Sequence, residues 1–229
     1  MPLPVLEAPK YNLVVPSTKK KLQYRPFLVK EEKILMIAQE SDDASQIELS
    51  IREIIKACTF GKIDVDSLMT YDLEYILLKL REKSVGETSK FSLACEKCGA
   101  KNEVTINLED VGIDFPETVP DSNIELSKGV GITLSPVSIK RLGNIDQSDI
   151  NSLISTVIET IYDEKNVYSV DSVSKKELNT FIDSFTHKNL EAIQNFIQNQ
   201  PTLKHTITFK CSECGHENTH TLEGIQSFF

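Results

Sequence analysis

Apolar positions recur with a helical period in several stretches of the chain. Ile47, Ile51, Ile54, Ile55 and Cys58 share one stripe behind Ser45-x-x-Glu48, which has the form of a capping box. Leu73, Ile76, Leu77 and Leu80 form a second stripe, fading at Ser84-Val85-Gly86. Ile150, Leu153, Ile154, Val157, Ile158 and Ile161 give the cleanest pattern and predict one amphipathic helix. Ser174-x-x-Glu177 is a further capping box ahead of Leu178, Phe181, Ile182 and Phe185. Leu190, Ile193, Phe196 and Ile197 then predict another helix, stopped by Pro201. Two-residue alternation appears in residues 103–108 and predicts a strand. Residues 110–131, with Pro116, Pro120 and three glycines, predict an irregular connection.

The first third lacks periodicity. Pro2, Pro4, Pro9, Pro16 and Pro26 each remove a backbone donor and bias the preceding residue to extended geometry. Between them lie the apolar islands Leu13-Val14-Val15 and Phe27-Leu28-Val29. Residues 1–33 therefore predict either an extended arm that docks on a partner or an edge segment packed on its own domain. Phe228 and Phe229 leave an apolar C-terminus, either a contact point or part of the core.

Composition narrows the class. At 229 residues and 40% hydrophobic, without a low-complexity tract, the chain can bury one large core or two small ones. No apolar run approaches the length needed to cross a bilayer, which predicts no membrane partner. Met1-Pro-Leu-Pro has neither a basic n-region nor an apolar core, and predicts no secretory leader. The net charge of −9 is uneven: residues 1–33 carry +4 and the remainder −13. An acidic body argues against nucleic acid as a partner, since such binding needs clustered phosphate contacts. Lys19-Lys20-Lys21 with Arg25 is the one basic run that could contact it; as a rule such runs are solvated or lie on an acidic protein surface.

The chemistry lies in the cysteines. Cys95-Glu-Lys-Cys98-Gly99 and Cys211-Ser-Glu-Cys214-Gly215 are two copies of a C-x-x-C-G knuckle and use four of the five cysteines. Phe91-Ser-Leu-Ala matches Ile207-Thr-Phe-Lys before the pairs, and Gly99-Ala-Lys-Asn102 matches Gly215-His-Glu-Asn218 after them. A strand enters and a strand leaves each knuckle. One knuckle supplies half a tetrahedral shell, so Cys95, Cys98, Cys211 and Cys214 together predict one structural zinc per chain. The alternatives are two unmetallated hairpins, with thiols reduced or oxidised to disulfides. A redox C-x-x-C normally opens a helix, whereas both knuckles lead into strand-like sequence. Four thiolates also close the shell against the water that a catalytic zinc needs. His205, His216 and His220 read as surface strand residues, and Cys58 as a small buried hydrophobe. Thiols kept as ligands point to a reducing cytoplasm.

The predicted fold class is α+β, with helical bundles around a small antiparallel zinc ribbon split by a helical insertion. Its parts are an arm (1–33), a helical segment (34–86), the split ribbon (87–109 plus 203–229) and a mainly helical insert (110–202). No catalytic constellation emerges. Gly129-Val-Gly131 lacks the residues of a phosphate loop, and neither G-x-S-x-G nor H-E-x-x-H occurs. The chain reads as a non-enzyme without a small-molecule substrate. Competing classes are a zinc-ribbon nucleic-acid module and a thiol–disulfide enzyme.

Tyr11-Asn-Leu-Val-Val-Pro-Ser-Thr18, Tyr24-Arg-Pro-Phe-Leu-Val-Lys-Glu-Glu-Lys33, Asp72-Leu-Glu-Tyr-Ile76, Leu80-Arg81 and Ser84-x-Gly86 carry a resemblance. Together with the first knuckle, they resemble a small baseplate-hub protein family of T-even-type phages, which have contractile tails. The resemblance covers the first half of the chain best. It implies a late protein acting in hub assembly, as a resident subunit or as a factor that helps the hub form. Its partners would be other baseplate or hub proteins, met in the host cytoplasm during assembly or in the tail baseplate of the virion. It implies no catalytic residues. It does suggest that Tyr24, Arg25, Pro26, Phe27 and Leu28 contact a neighbouring subunit, as an extended segment laid in a partner groove.

Overall fold

A computed structural model describes residues 6–40, 44–118, 120–142 and 149–228. In chain order the strands are β1 (Tyr11–Val14), β2 (Lys21–Tyr24), β3 (Thr88–Ala94), β4 (Lys101–Asn107), β5 (Gly112–Asp114), β6 (Asn123–Ser127), β7 (Val130–Leu134), β8 (Ile158–Tyr162), β9 (Val167–Ser169), β10 (Thr202–Lys210) and β11 (Glu217–Glu223). The helices are α1 (Val29–Glu40), α2 (Ala44–Cys58), α3 (Thr70–Ser84), α4 (Ile139–Leu142), α5 (Ile150–Ser155), α6 (Lys175–Ile182) and α7 (His187–Gln198). The chain is thus mixed α and β, with small antiparallel sheets. It divides into two units: Met1–Val65, Tyr71–Asp114 and Thr202–Phe229 form the first, and Asp66–Thr70 and Phe115–Pro201 the second. The side chain of Ser45 and the residues Pro2, Pro4 and Phe229 lie outside what is described.

In the first unit, β1 and β2 pair as a hairpin with Tyr11 opposite Tyr24. Alternation turns Leu13, Val15, Leu22 and Tyr24 inward, and all four are buried. The turn is fastened to α3, where the Ser17 amide and hydroxyl both donate to the buried carboxylate of Asp72. Of the two expectations for residues 1–33, residues 11–24 are therefore packed on their own unit rather than extended as a free arm, whereas Leu6 stands exposed ahead of them. The missed signal was the spacing of Leu13 and Val15 from Leu22 and Tyr24, which suits two short strands around a polar turn. Val29, placed with an extended island in the sequence, instead opens α1.

The hairpin β3–β4 and the sheet β11-β10-β5 complete this unit. Leu78 from α3, Leu108, Val111, Leu203, Leu222 and Phe228 are buried in one cluster, so Phe228 belongs to the core.

The second unit differs most from expectation. It holds an antiparallel sheet in the order β6-β7-β8-β9 as well as helices. The stripe predicted as one helix over residues 150–161 is helical only through Ser155 and becomes strand from Ile158. Thr156, Val157, Ile158, Thr160 and Ile161 are β-branched, which disfavours helix and suits a half-buried strand. Residues 110–131, expected to be irregular, contain β5, β6 and the start of β7. These strands are too short for alternation to separate them from loop. The capping box at Ser174 and Glu177 forms as expected, and Thr186 with Asn189 makes a second one. Ile132, Ile158, Ile193 and Phe196 lie in this unit's own core.

Gly131 is the tight point of the sheet. A Cβ there would lie 2.2 Å from the Tyr162 hydroxyl and 2.6 Å from the Ile124 carbonyl oxygen. The Tyr162 ring thus takes the space a side chain would fill, and the β6 backbone bars retreat on the other side. Gly131→Ala is expected to cost about 1–3 kcal/mol through overpacking, read as a lower urea midpoint with unchanged slope.

Candidate metal centre

Each cysteine pair sits on the turn of a β-hairpin, between β3 and β4 in one case and β10 and β11 in the other. The two turns close in the same way. Cys95 N–H donates to the Ala100 carbonyl at 2.8 Å and Gly99 N–H to the Cys95 carbonyl at 2.8 Å. Cys211 N–H donates to His216 at 2.8 Å and Gly215 N–H to Cys211 at 3.0 Å. Gly99 and Gly215 have φ of +75° and +69°, the left-handed region that closes the turn and that a side chain disfavours.

The hairpins bring all four sulfurs within 4.8 Å of one another. Cys95 Sγ lies 3.7 Å from Cys214 Sγ, and Cys98 Sγ lies 3.6 Å from Cys211 Sγ. A tetrahedron with metal–sulfur bonds of about 2.3 Å has edges of about 3.8 Å, so the donor set fits such an ion. The separations are far longer than a disulfide bond, and all five cysteines are free. Cys95 and Cys211 are buried, whereas Cys98 and Cys214 are exposed. Among the described residues, the group able to hold a metal comprises these four cysteines and no histidine.

The electrostatics also suit a cation. The Cys214 N–H directed at the Cys211 sulfur, helped by that of Glu213 and opposed by burial, pushes this thiol down to about 6. The Ala100 N–H favours the Cys98 thiolate too, but the sulfurs of Cys214 and Cys211 outweigh it and push Cys98 up to about 12. Four sulfurs at this spacing cannot all be anionic unless a positive charge lies among them.

Two buried asparagines cross between the knuckles. Asn102 Oδ1 accepts from the Ser212 N–H at 2.8 Å and from its hydroxyl at 3.1 Å. Asn218 Oδ1 accepts from the Glu96 N–H at 2.9 Å. The matched Gly-x-x-Asn of both copies was visible in the sequence, but its role depends on how the two hairpins face each other.

The residues expected to meet a partner make contacts within their own unit. Tyr24 is buried, and burial foremost pushes its phenol up to about 12. The Arg25 guanidinium contacts the Glu31 carboxylate at 2.9 and 3.4 Å, and the Arg25 N–H donates to the Cys58 carbonyl. Pro26 is buried, Phe27 N–H donates to Ser84 Oγ, and Leu28, at 41% exposure, is the residue of the five most open to a partner. Cys58 is fully buried, and burial foremost pushes its thiol up to about 11, the state of an inert apolar side chain. In the basic run Lys19, Lys20 and Lys21 are exposed, whereas Arg25 is tied to Glu31.

Burial favours the neutral form of Glu31, but the Arg25 guanidinium and the Leu28 N–H outweigh it and hold the carboxyl below its usual range. A depressed carboxylate contributes stability above its unfolded pKa and loses it as pH falls through the folded value. Glu31→Gln is therefore expected to cost about 3 kcal/mol at neutral pH by leaving Arg25 uncompensated. Urea titrations should show the gap between variant and wild type closing below about pH 4.

A family model described as T4 bacteriophage base plate protein matches residues 8–229. The chain is 28% identical over 222 residues to a protein of Enterobacteria phage T4 named "Baseplate hub assembly protein gp26", covering 96% of this chain and 98% of that one. No solved structure matches. Among the described residues, no helix is long and apolar enough to cross a membrane.

Proposed function

The chain belongs to the T4 bacteriophage base plate protein family, and from that membership we infer that it is a non-enzymatic structural or assembly protein of the tail baseplate hub. The observation that carries this reading is the match along nearly the whole length of both chains to a protein named for hub assembly. Its partners are other baseplate or hub proteins, met in the host cytoplasm as the tail is built. The exposed side chain of Leu28, beside Phe27, is the part of the 24–28 segment offered to them.

Cys95, Cys98, Cys211 and Cys214 hold one structural zinc, and the paired hairpins form a split zinc ribbon around it. The ion supplies charge and cross-linking rather than chemistry, because four thiolates leave no position for a substrate or water. It ties together two hairpins between which the whole span 115–201 intervenes, and so presents a fixed surface for assembly.

The test is removal of this protein from the phage that encodes it, followed by electron microscopy of the lysate. Heads with tails absent, or baseplates without a hub, are expected. Normal contractile tails in normal number would overturn the assignment.

A further inference from the structure

We propose that Asn102 and Asn218 are the positioning residues of the metal centre, each hydrogen-bonding from its own knuckle into the other so that the four sulfurs converge. This rests on the zinc reading above but is separable from it. The hairpins β3–β4 and β10–β11 lie in different sheets, so no strand ladder joins them. The two amides supply hydrogen bonds that do cross. Asn102, four residues after Cys98, receives the N–H of Ser212, the residue after Cys211. Asn218, four residues after Cys214, receives the N–H of Glu96, the residue after Cys95. The relation is reciprocal, position for position.

Each amide is also locked at its other end. Asn102 Nδ2 donates to the Ala100 carbonyl at 2.9 Å, and Asn218 Nδ2 to the His216 carbonyl at 3.0 Å. Those two carbonyls also accept the N–H groups of Cys95 and Cys211. Every asparagine thus links the backbone of the buried cysteine in its own knuckle to the backbone beside the buried cysteine of the other. Both side chains are withdrawn from water, at 7% and 1% exposure, so each bond lost leaves a buried polar group unsatisfied. The pair differs in two respects: Asn102 Oδ1 also accepts from the Ser212 hydroxyl, and Asn102 Nδ2 lies 3.7 Å from Cys211 Sγ. An N–H donor beside the sulfur withdraws electron density from it, an outer-shell effect known to tune metal affinity.

The test uses the full chain with Asn102→Ala and Asn218→Ala, beside Glu96→Pro and Ser212→Pro. Glu96→Pro deletes the crossing N–H, and Ser212→Pro deletes the crossing N–H together with the Ser212 hydroxyl that also reaches Asn102, both at the second position of a turn, where proline's fixed φ is accepted. Zinc affinity by competition with a chromophoric chelator is expected to fall at least tenfold in all four, while cobalt spectra still report four sulfurs. Asn102→Ala should also shift the sulfur-to-cobalt charge-transfer band, whereas Asn218→Ala should not. Affinities within twofold of wild type would overturn the proposal and leave the zinc site standing. A wild-type chain that binds no zinc or cobalt would instead overturn the zinc reading. Oxidation of metal-free protein with diamide then decides the positioning role. Wild type should form Cys95–Cys214 and Cys98–Cys211 disulfides, and the alanine variants within-knuckle pairs; identical peptide maps would overturn it.

Discussion

Serine in place of Cys98 or Cys214 is expected to release the zinc and to lower Tm by about 6–12 °C. Both positions are exposed, so a serine there is solvated and leaves no cavity, and the loss reports the metal alone. At the buried positions Cys95 and Cys211 the same change would mix metal loss with a packing defect. Zinc binding supplies about 10–16 kcal/mol in small zinc modules that have little other core. This unit has a core of its own around Leu78, Leu108, Leu203 and Phe228, so the fold should weaken rather than vanish. A loss of at least about 3 kcal/mol corresponds to the stated Tm shift for a chain of this size. Closing a loop that spans 113 positions between Cys98 and Cys211 also removes freedom from the unfolded chain, and that contribution disappears with the ion. Hydrogen exchange should locate the effect, with protection falling in β3, β4, β10 and β11 and holding in β7 and β8. Metal content and Tm equal to wild type in both variants would refute a shared site.

The centre was legible because its chemistry is local. Cys-x-x-Cys-Gly names two thiols and a left-handed glycine within five residues, and the repeated flanks announce that two such turns belong together. What the sequence could not convey was face-to-face geometry. Asn102 and Asn218 look like ordinary strand polars until the hairpins are opposed. The resemblance suggested Tyr24 and Arg25 as partner contacts; their own unit also uses them, through the hairpin core and the pairing with Glu31. The helical misreading of residues 156–161 has a different origin. A three-to-four-residue period and a strand with one buried face both accommodate Val157, Ile158 and Ile161, and β-branching was the cue that favoured strand. The start of α6 behind Ser174 was read correctly because its capping is written in adjacent residues.

Excision of Phe115–Pro201, with Asp114 joined to Thr202 through Asn-Gly, is expected to leave a folded unit that still binds one zinc. Asp114 and Thr202 are directly opposed in the antiparallel pair β5–β10, so the ends of the excised span already stand one rung apart. A two-residue turn closes such a rung without altering its register. The buried residues around Leu203 and Phe228 all come from the retained segments, as do the four cysteines and both asparagines. One retained piece loses its neighbours. The segment Asp66–Thr70 belongs with the second unit, where Met69 bridges Ser138 and Thr70 N–H donates to the Val137 carbonyl. Leu68, buried in the full chain, should therefore be changed to serine in the shortened one. Far-UV circular dichroism, a cooperative melt and one zinc per chain would establish that the metal-bound unit folds alone. A shortened chain that is unfolded or metal-free would show that the span 115–201 is needed to hold the two knuckles together. Since the rung between Asp114 and Thr202 has the geometry that a two-residue turn closes, the zinc-binding outcome is the one the topology predicts.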